Sequence, residues 1–283
     1  NCVEGEEWQI LKRSVVHINT TTQLCSGVLV NNTAYDGKAY ILTAEHCINK
    51  ESRAESSVFY FGYENSACFV DDGQRNQSVS GSTLIATGDS IDFTLVKLSE
   101  KPPGEYNVYY AGWDVRKHGH GSSVTLHHPN ADAMKISYDK DPTKEPTSLP
   151  GDLNDYLLAS NYRIAKWDIG TTEGGSSGCP LFNSSKKLIG LLSGGLASCG
   201  DSIGYNVETG RVIFSLNGNE NDYFSKIYFA WDHYSASSKQ LKHWLDPANT
   251  GQSVIGGLNA MTVEVGDRLT SGEGLQFYPN PAR

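Results

Sequence analysis

The hydrophobic residues of this chain fall in short runs that are separated by Gly, Asn and Asp. Such runs include Val15-Val16-His17-Ile18, Ala39-Tyr40-Ile41-Leu42-Thr43, Phe93-Thr94-Leu95-Val96-Lys97-Leu98, Ser123-Val124-Thr125-Leu126 and Leu188-Ile189-Gly190-Leu191-Leu192. Runs of this length, rich in β-branched and aromatic residues, are typical of strands that are joined by turns. Their recurrence along the chain predicts an all-β fold, either a barrel or a sandwich.

One segment near the C-terminus has a helical pattern instead. Leu241, Trp244 and Leu245 have i, i+3, i+4 spacing, serines precede them, and Pro247 follows. These signals predict a single C-terminal helix over about residues 235–246, docked on the outside of the β structure. From Gly256 onward the chain is polar and rich in glycine, which predicts a linker.

Composition and charge narrow the class of protein. The 283 residues are 38% hydrophobic and include 15 Tyr and 5 Trp, which is enough for one large domain or two small ones. The net charge of -9 argues against a nucleic-acid partner, because polyanions are repelled. No stretch approaches the roughly 18 consecutive apolar residues of a membrane span.

Six cysteines lie at positions 2, 25, 47, 68, 179 and 199, and no two of them form a CxxC pair. An even count without zinc-ligand spacing predicts three disulfides and an oxidising, secreted compartment. The chain begins at Asn1-Cys2 without an initiator Met, so we expect an excised mature form. Adjacent His127 and His128 would point to opposite faces of a strand, so we expect no metal there.

The candidate chemistry centres on a serine in a glycine-rich turn. Ser177 lies in Glu173-Gly174-Gly175-Ser176-Ser177-Gly178-Cys179-Pro180, and the N–H groups of Gly175 and Ser177 could stabilise an oxyanion. His46 follows one apolar strand and Asp92 precedes another. The chain order His, Asp, Ser is one of the known orders of a nucleophilic triad.

These segments resemble known motifs. Thr43-Ala44-Glu45-His46-Cys47, Asp92-Phe93-Thr94-Leu95 and Gly175-Ser176-Ser177-Gly178-Cys179-Pro180 resemble the TAAHC, DIAL and GDSGGP boxes of trypsin-like serine proteases. The segments Cys25-Ser26-Gly27-Val28, Ala111-Gly112-Trp113-Asp114, Leu126-His127-His128-Pro129-Asn130, Gly210-Arg211-Val212-Ile213-Phe214 and Trp244-Leu245-Asp246-Pro247 are similar to the bacterial lysyl endopeptidase branch. The resemblance extends from about residue 2 to 259.

The resemblance implies two six-stranded antiparallel β-barrels with the active site in the cleft between them, and no cofactor or catalytic metal. Residues 1–115 would hold His46 and Asp92, and residues 116–259 would hold Ser177, the P1 pocket and the C-terminal helix. Residues 260–283 would be a linker and the start of a further domain. Asp92 would orient His46, which takes the proton of Ser177 as its oxygen attacks the substrate. The N–H groups of Gly175 and Ser177 would form the oxyanion hole.

The family pattern also implies the disulfides Cys25–Cys47 and Cys2–Cys68. Cys179 and Cys199 are then left as a third pair, which departs from the lysyl endopeptidase pattern. We expect this bond to tie the nucleophile turn to the wall of the substrate pocket.

The pocket for the P1 residue, which precedes the cleaved bond, would be lined by Thr171, Glu173, Ser193, Gly194 and Gly195. In lysyl endopeptidases an Asp on the last loop binds the substrate lysine, and here that position maps to either Val207 or Glu208. Glu208 would favour a basic P1 residue by charge pairing, and Val207 an apolar one. Asp201 is a third acidic candidate. We rank basic P1 first, apolar second and acidic third.

The C-terminal segment Gln276-Phe277-Tyr278-Pro279-Asn280-Pro281-Ala282 resembles the start of the sorting domain of type IX secretion in Bacteroidetes. We therefore expect a secreted or cell-surface monomer that acts on protein or peptide substrates. The alternative is a catalytically inactive protease-like module that binds peptides.

Overall fold

The computed structural model describes residues 2–68, 70–117, 121–199, 202–206, 211–214, 218 and 220–260. Its first half is a curled sheet whose strands are β1 (Val15–Asn19), β2 (Leu24–Val30), β3 (Tyr40–Thr43), β4 (Val58–Phe61), β5 (Ser78–Ser80), β6 (Ser82–Gly88) and β7 (Phe93–Leu98). The strands lie in the order β5-β4-β1-β2-β3-β7-β6 and every pair is antiparallel.

The second half is another curled antiparallel sheet. Its strands are β9 (Ser123–His127), β10 (Lys135–Asp139), β11 (Asn161–Lys166), β12 (Pro180–Asn183), β13 (Leu188–Gly195) and β16 (Glu220–Lys226), in the order β10-β9-β12-β13-β16-β11. Two small pairs accompany the sheets: β8 (Tyr109–Tyr110) with β17 (Leu258–Asn259), and β14 (Ser202–Asn206) with β15 (Arg211–Phe214).

The predicted all-β class with two antiparallel sheets is confirmed. The first sheet has seven strands instead of the predicted six, because the short strand β5 pairs along the outer edge of β4. The helices in the described residues are short: α1 (Gln9–Lys12), α2 (Glu51–Ser56), α3 (Ile227–Asp232) and α4 (Lys242–Leu245). None of these helices has the length and apolar character needed to cross a bilayer.

The prediction of one helix over residues 235–246 is wrong. Residues Lys242–Leu245 are helical, Ser237–Lys239 form a 3₁₀ turn, and a separate helix, α3, lies just before the predicted segment. The serine-rich residues 235–239 are exposed, so they have no apolar face whose burial could offset the unfavourable free energy of helix nucleation. Leu241 and Leu245 are buried, as the spacing predicted, but they reach the core from a turn and a short helix.

The largest buried cluster lies between the two sheets. It joins Val28, Val30, Leu42, Phe93 and Leu95 of the first sheet to side chains of the second, which are Val124, Leu126, Phe182, Leu188 and Leu191. Burying this shared apolar surface holds the sheets together. The turns that follow β3, precede β7 and precede β12 consequently meet in one place.

Two of the three predicted disulfides are present. The structure contains the bonds Cys2–Cys68 and Cys25–Cys47. The predicted bond between Cys179 and Cys199 is wrong, because both thiols are free. Cys179 points into the core of the second sheet, where its sulfur lies 3.0 Å from Thr125 Oγ1, whereas Cys199 is exposed at the surface.

Candidate active site

Strand pairing brings His46 and Asp92 together. His46 follows β3 and Asp92 immediately precedes β7, and these neighbouring strands pair with Thr43 opposite Thr94. The end of β3 therefore meets the start of β7. Asp92 adopts a left-handed conformation with φ of 60°, which ends the 3₁₀ turn before it and starts the strand after it. The site is thus fixed by the register of two buried strands.

The imidazole of His46 is held by a buried carboxylate. Its Nδ1 lies 3.0 Å from Asp92 Oδ1 and 3.1 Å from Oδ2, and its backbone N–H donates to Oδ1 at 3.1 Å. Asp92 is fully buried. Because Nδ1 faces the carboxylate, Nε2 is the ring nitrogen left for a substrate or a nucleophile.

The pKa of His46 lies above the ordinary value of 6.5. Burial lowers this pKa, but the hydrogen bond and the charge of Asp92 raise it by more, and Glu45 and Asp152 add to the increase. A carboxylate beside an imidazole favours its protonated form. The arrangement suits a ring that accepts a proton during a reaction and later returns it.

His46 and Ser177 line the same cleft, whose volume is about 350 Å³. The other lining residues are Asp152, Leu153, Tyr156, Thr172, Glu173, Gly174, Leu192, Ser193, Gly194, Gly195 and Ala197. Of the residues predicted for the P1 pocket, the cleft thus includes Glu173, Ser193, Gly194 and Gly195. Thr171 lies instead on a second cavity, of about 720 Å³, which shares Glu173 with the cleft. Val207, Glu208 and Asp201 lie outside the described residues.

The turn around Ser177 offers two backbone donors. The carbonyl of Gly174 accepts the Asn130 N–H at 2.6 Å, and the carbonyl of Ser176 accepts the Cys179 N–H at 2.9 Å. A trans peptide directs its C=O and N–H in opposite directions, so the N–H groups of Gly175 and Ser177 point away from these partners. Within the described part of the chain, neither N–H donates a hydrogen bond. Gly175 has φ of 91°, a conformation that favours glycine.

A buried acid that the sequence motifs did not identify lies beside the cleft. Asp222 on β16 is 1% exposed and pairs in register with Gly195 on β13. Its Oδ2 accepts hydrogen bonds from Trp167 Nε1 at 2.6 Å and Thr172 Oγ1 at 2.7 Å. No hydrogen bond of good geometry reaches Oδ1 within the described residues. Burial raises the pKa of Asp222 to about 6, although hydrogen bonds from Thr172, Trp167 and the Ala197 backbone lower it.

Asp222 lies directly behind the wall of the cleft. Thr172 and Gly195 both line the cleft, and a β-carbon on Gly195 would overlap Asp222 Oδ1. The sequence signal was an acid at an inward position of the apolar strand Asp222-Tyr223-Phe224. The family pattern pointed instead to the preceding loop, at Val207 or Glu208.

No group of three or more His, Cys, Asp or Glu side chains that could hold a metal ion occurs in the described ranges. His127 and His128 instead use ring nitrogens within the protein: His127 Nδ1 lies 2.7 Å from Ser176 Oγ, and His128 Nδ1 lies 3.0 Å from the Asp132 carbonyl.

Comparison with known proteins agrees with the sequence motifs. Residues 1–209 match the family described as lysyl endopeptidase, C-terminal domain. Over 211 residues the chain is 29% identical to the lysyl endopeptidase of Pseudomonas aeruginosa, a match that covers 71% of this chain and 40% of that protein. The chain therefore spans well under half the length of that curated relative.

Solved structures share the fold at low identity. Kallikrein-related peptidase 10 has a TM-score of 0.50 at 19% identity, covering 80% of this chain and 93% of that chain. The Rv3671c protease of M. tuberculosis, in its inactive form, has a TM-score of 0.50 at 14% identity, covering 79% and 88%. With the family match over most of its length, this chain belongs to the lysyl endopeptidase C-terminal domain family and has a trypsin-like fold.

Proposed function

We propose that this chain is a secreted serine endopeptidase that uses His46, Asp92 and Ser177. The observation that carries the proposal is the geometry of His46. Its Nδ1 lies 3.0 and 3.1 Å from the carboxylate of buried Asp92, and it lines one cleft with Ser177. The N–H groups of Gly175 and Ser177, which donate no hydrogen bond within the described residues, complete the proposed site.

In the proposed reaction, Asp92 keeps the proton of His46 on Nδ1, so Nε2 accepts the proton of the Ser177 hydroxyl. Ser177 Oγ attacks the scissile carbonyl, and the oxygen of the tetrahedral intermediate accepts hydrogen bonds from Gly175 and Ser177. His46 then gives its proton to the leaving amine, and an acyl-enzyme remains. Water, deprotonated by the same imidazole, releases the acid. Losing one oxyanion donor costs about 2.7–4 kcal/mol of transition-state stabilisation in such sites.

The P1 preference that we propose is basic, and it rests on Asp222. Asp222 Oδ1 lies against the backbone of Gly195, so the lack of a side chain at that position leaves room for the carboxylate behind the cleft wall. A lysine ammonium or arginine guanidinium that enters between Thr172 and Gly195 would find a charged acceptor in a site of low dielectric. An acidic P1 residue would be repelled. This assignment replaces Glu208 as the acid in the proposal.

The proposal includes secretion, protein or peptide substrates and a monomeric state. The two disulfides fit an oxidising compartment, which supports secretion. The segment that resembles a type IX sorting domain, 276–282, lies outside the described residues, so that route stays a prediction. The substrates are proteins or peptides, and the expected state is a monomer.

A serine-reactive fluorophosphonate probe tests the proposed function. We expect the wild-type chain and Ser184→Ala, a change of an exposed serine on the turn after β12, to be labelled and to hydrolyse peptide amides. Ser177→Ala should fold normally, resist labelling and release no product. A folded wild-type chain that is neither labelled nor active would overturn the proposal in favour of an inactive peptide-binding module.

A further inference from the structure

We propose that the segment His127–Asn130, which ends β9, is a template that holds the oxyanion loop (residues 173–177) in its active conformation. His127 and Asn130 are the positioning residues, and they act through Ser176 and Gly174. This inference rests on the proposed function, because it concerns the geometry of the same oxyanion hole. Hydrogen bonds join the two segments, residues 127–130 and 173–177, although they are distant in sequence.

His127 is fully buried and uses both ring nitrogens. Its Nδ1 lies 2.7 Å from Ser176 Oγ, and its Nε2 lies 3.2 Å from Ser137 Oγ. The Ser137 hydroxyl donates to the carbonyl of Thr171 at 2.8 Å, so it must accept from His127 Nε2–H. Nδ1 is then an acceptor, and the Ser176 hydroxyl donates to it.

The series of hydrogen bonds begins within the oxyanion loop, at the N–H of Glu173. Ser176 Oγ, which donates to His127, accepts the N–H of Glu173 at 3.2 Å. The donors therefore run in one direction, from Glu173 N–H through Ser176, His127 and Ser137 to the Thr171 carbonyl. Every donor in this series has one acceptor when the ring of His127 is neutral and carries its proton on Nε2. Burial lowers the pKa of His127 to about 3, which agrees with a neutral ring at working pH.

Asn130 holds the peptide that carries the first oxyanion donor. Its N–H donates to the Gly174 carbonyl at 2.6 Å, and its Nδ2 donates to Glu173 Oε2 at 2.6 Å. A peptide between two glycines turns over easily, because neither residue has a β-carbon. If the Gly174–Gly175 peptide turned over, its carbonyl would replace the N–H and repel the oxyanion. The Asn130 N–H opposes that rotation.

Ser26 on β2 of the first sheet contacts both the template and the oxyanion loop. The Ser26 hydroxyl accepts the His128 N–H at 3.0 Å and donates to the Gly175 carbonyl at 3.0 Å. The Ser26 N–H donates to the Ser177 carbonyl at 2.8 Å. A β-carbon on Gly175 would lie 2.8 Å from the His128 carbonyl and 3.0 Å from Asn130 N. The loop and the template are therefore in direct backbone contact, and one cannot move without the other.

These contacts predict an oxyanion hole that hydrogen bonds from the His127–Asn130 segment hold in place. We expect His127→Phe to lower kcat by 10- to 100-fold and to leave KM within about threefold. The reason is that a turned-over loop lacks an oxyanion donor, whose loss costs about 10²–10³ in rate. His127→Asn can still accept from Ser176, and it should recover part of the loss. Asn130→Gly keeps the backbone N–H and tolerates φ of 50°, and it should lose 3- to 10-fold in kcat.

The experiment measures these variants with two ligands. A peptide aldehyde forms a tetrahedral adduct with Ser177 and reports the oxyanion hole, whereas an uncleaved peptide bound to the Ser177→Ala form reports ground-state binding. We expect aldehyde affinity to fall by the same factor as kcat, with peptide affinity unchanged. Ser184→Ala is the matched control, and thermal melting identifies any variant that fails to fold.

If His127→Phe does not fold, Asn130→Gly carries the test, because it leaves the core intact. Folded variants with wild-type kcat and aldehyde affinity, or with a loss confined to peptide binding, would overturn the positioning role. A wild-type chain that fluorophosphonate does not label would instead overturn the proposed function itself.

Discussion

The carboxylate of Asp222 lies against the backbone of Gly195, its register partner on the neighbouring strand. A β-carbon on Gly195 would overlap Oδ1, so any other residue there would displace the carboxylate or block the cleft. The carboxylate of Asp222 can therefore occupy this position only because residue 195 is a glycine. Gly195 itself lines the cleft that also includes His46 and Ser177, so the buried carboxylate lies directly behind that wall.

Asp222→Asn should remove the preference for a basic P1 residue. The amide keeps the size of the carboxylate but cannot pair with an ammonium group. We expect kcat/KM for substrates with Lys or Arg at P1 to fall by about 100-fold, in line with the roughly 1.5–3 kcal/mol of a charged hydrogen bond. Cleavage-site profiling by mass spectrometry measures the change. Asp155→Asn, an exposed acid, is the control, and an unchanged profile for Asp222→Asn would remove that residue from the pocket.

The pH dependence of activity should follow His46. Hydrolysis needs the neutral imidazole, and the pKa of His46 is raised above 6.5, so kcat/KM should rise with pH through a midpoint above 6.5. Asp92→Asn removes the hydrogen bond and the charge that raise this pKa, and leaves the burial that lowers it. The midpoint should move to lower pH, and the rate should fall by about 10⁴-fold. A midpoint that stays in place would separate Asp92 from the titrating group.

The two free thiols should differ in reactivity. Cys199 is exposed, although burial and the carboxylate of Glu173 raise its pKa, so it should react slowly with N-ethylmaleimide at neutral pH and faster at pH 9. Cys179 is buried and should react after unfolding. Intact-mass measurement should show one adduct on the native chain and two on the denatured chain. Two unreactive thiols in denaturant without reductant would point to the bond between them that the structure excludes.

Buried histidines should make the fold sensitive to acid. Burial lowers the pKa of His17 to about 3, with His128 and Arg75 adding to the shift. Between pH 6.5 and 3 the unfolded chain holds a proton on this residue that the folded chain does not. Stability is therefore present above pH 6.5 and is lost as pH falls, by about 2 kcal/mol between pH 7.5 and 5 for this one residue.

His17→Phe tests this dependence. The ring of His17 stacks on Tyr60, and within the described ranges neither of its nitrogens has a hydrogen-bond partner, so phenylalanine should be accepted at pH 7.5. Urea unfolding at pH 7.5 and pH 5 should show that the variant loses about 2 kcal/mol less than the wild type. Parallel losses in the two proteins would mean that His17 titrates normally.

Much of this protein could be predicted from its sequence, because the relevant signals are local. The alternation of short apolar runs with turn residues predicted an all-β fold, since the pattern of burial in a strand is set by its own residues. The motifs placed His46 after one strand, Asp92 just before another and Ser177 in a glycine-rich turn, and the structure has each of them there. The family pattern also implied the bonds Cys2–Cys68 and Cys25–Cys47, which the structure contains.

The tertiary structure decided what depends on register and on the direction of side chains across strands. Gly195 meets Asp222, and His127 meets Ser176, through strand pairings and turns that no spacing in the sequence specifies. Cys179, which immediately precedes β12, faces the core of the second sheet and not Cys199. The helix predicted over residues 235–246 failed for the same reason. Packing against the core, and not the local spacing of Leu241 and Leu245, determined which residues became helical.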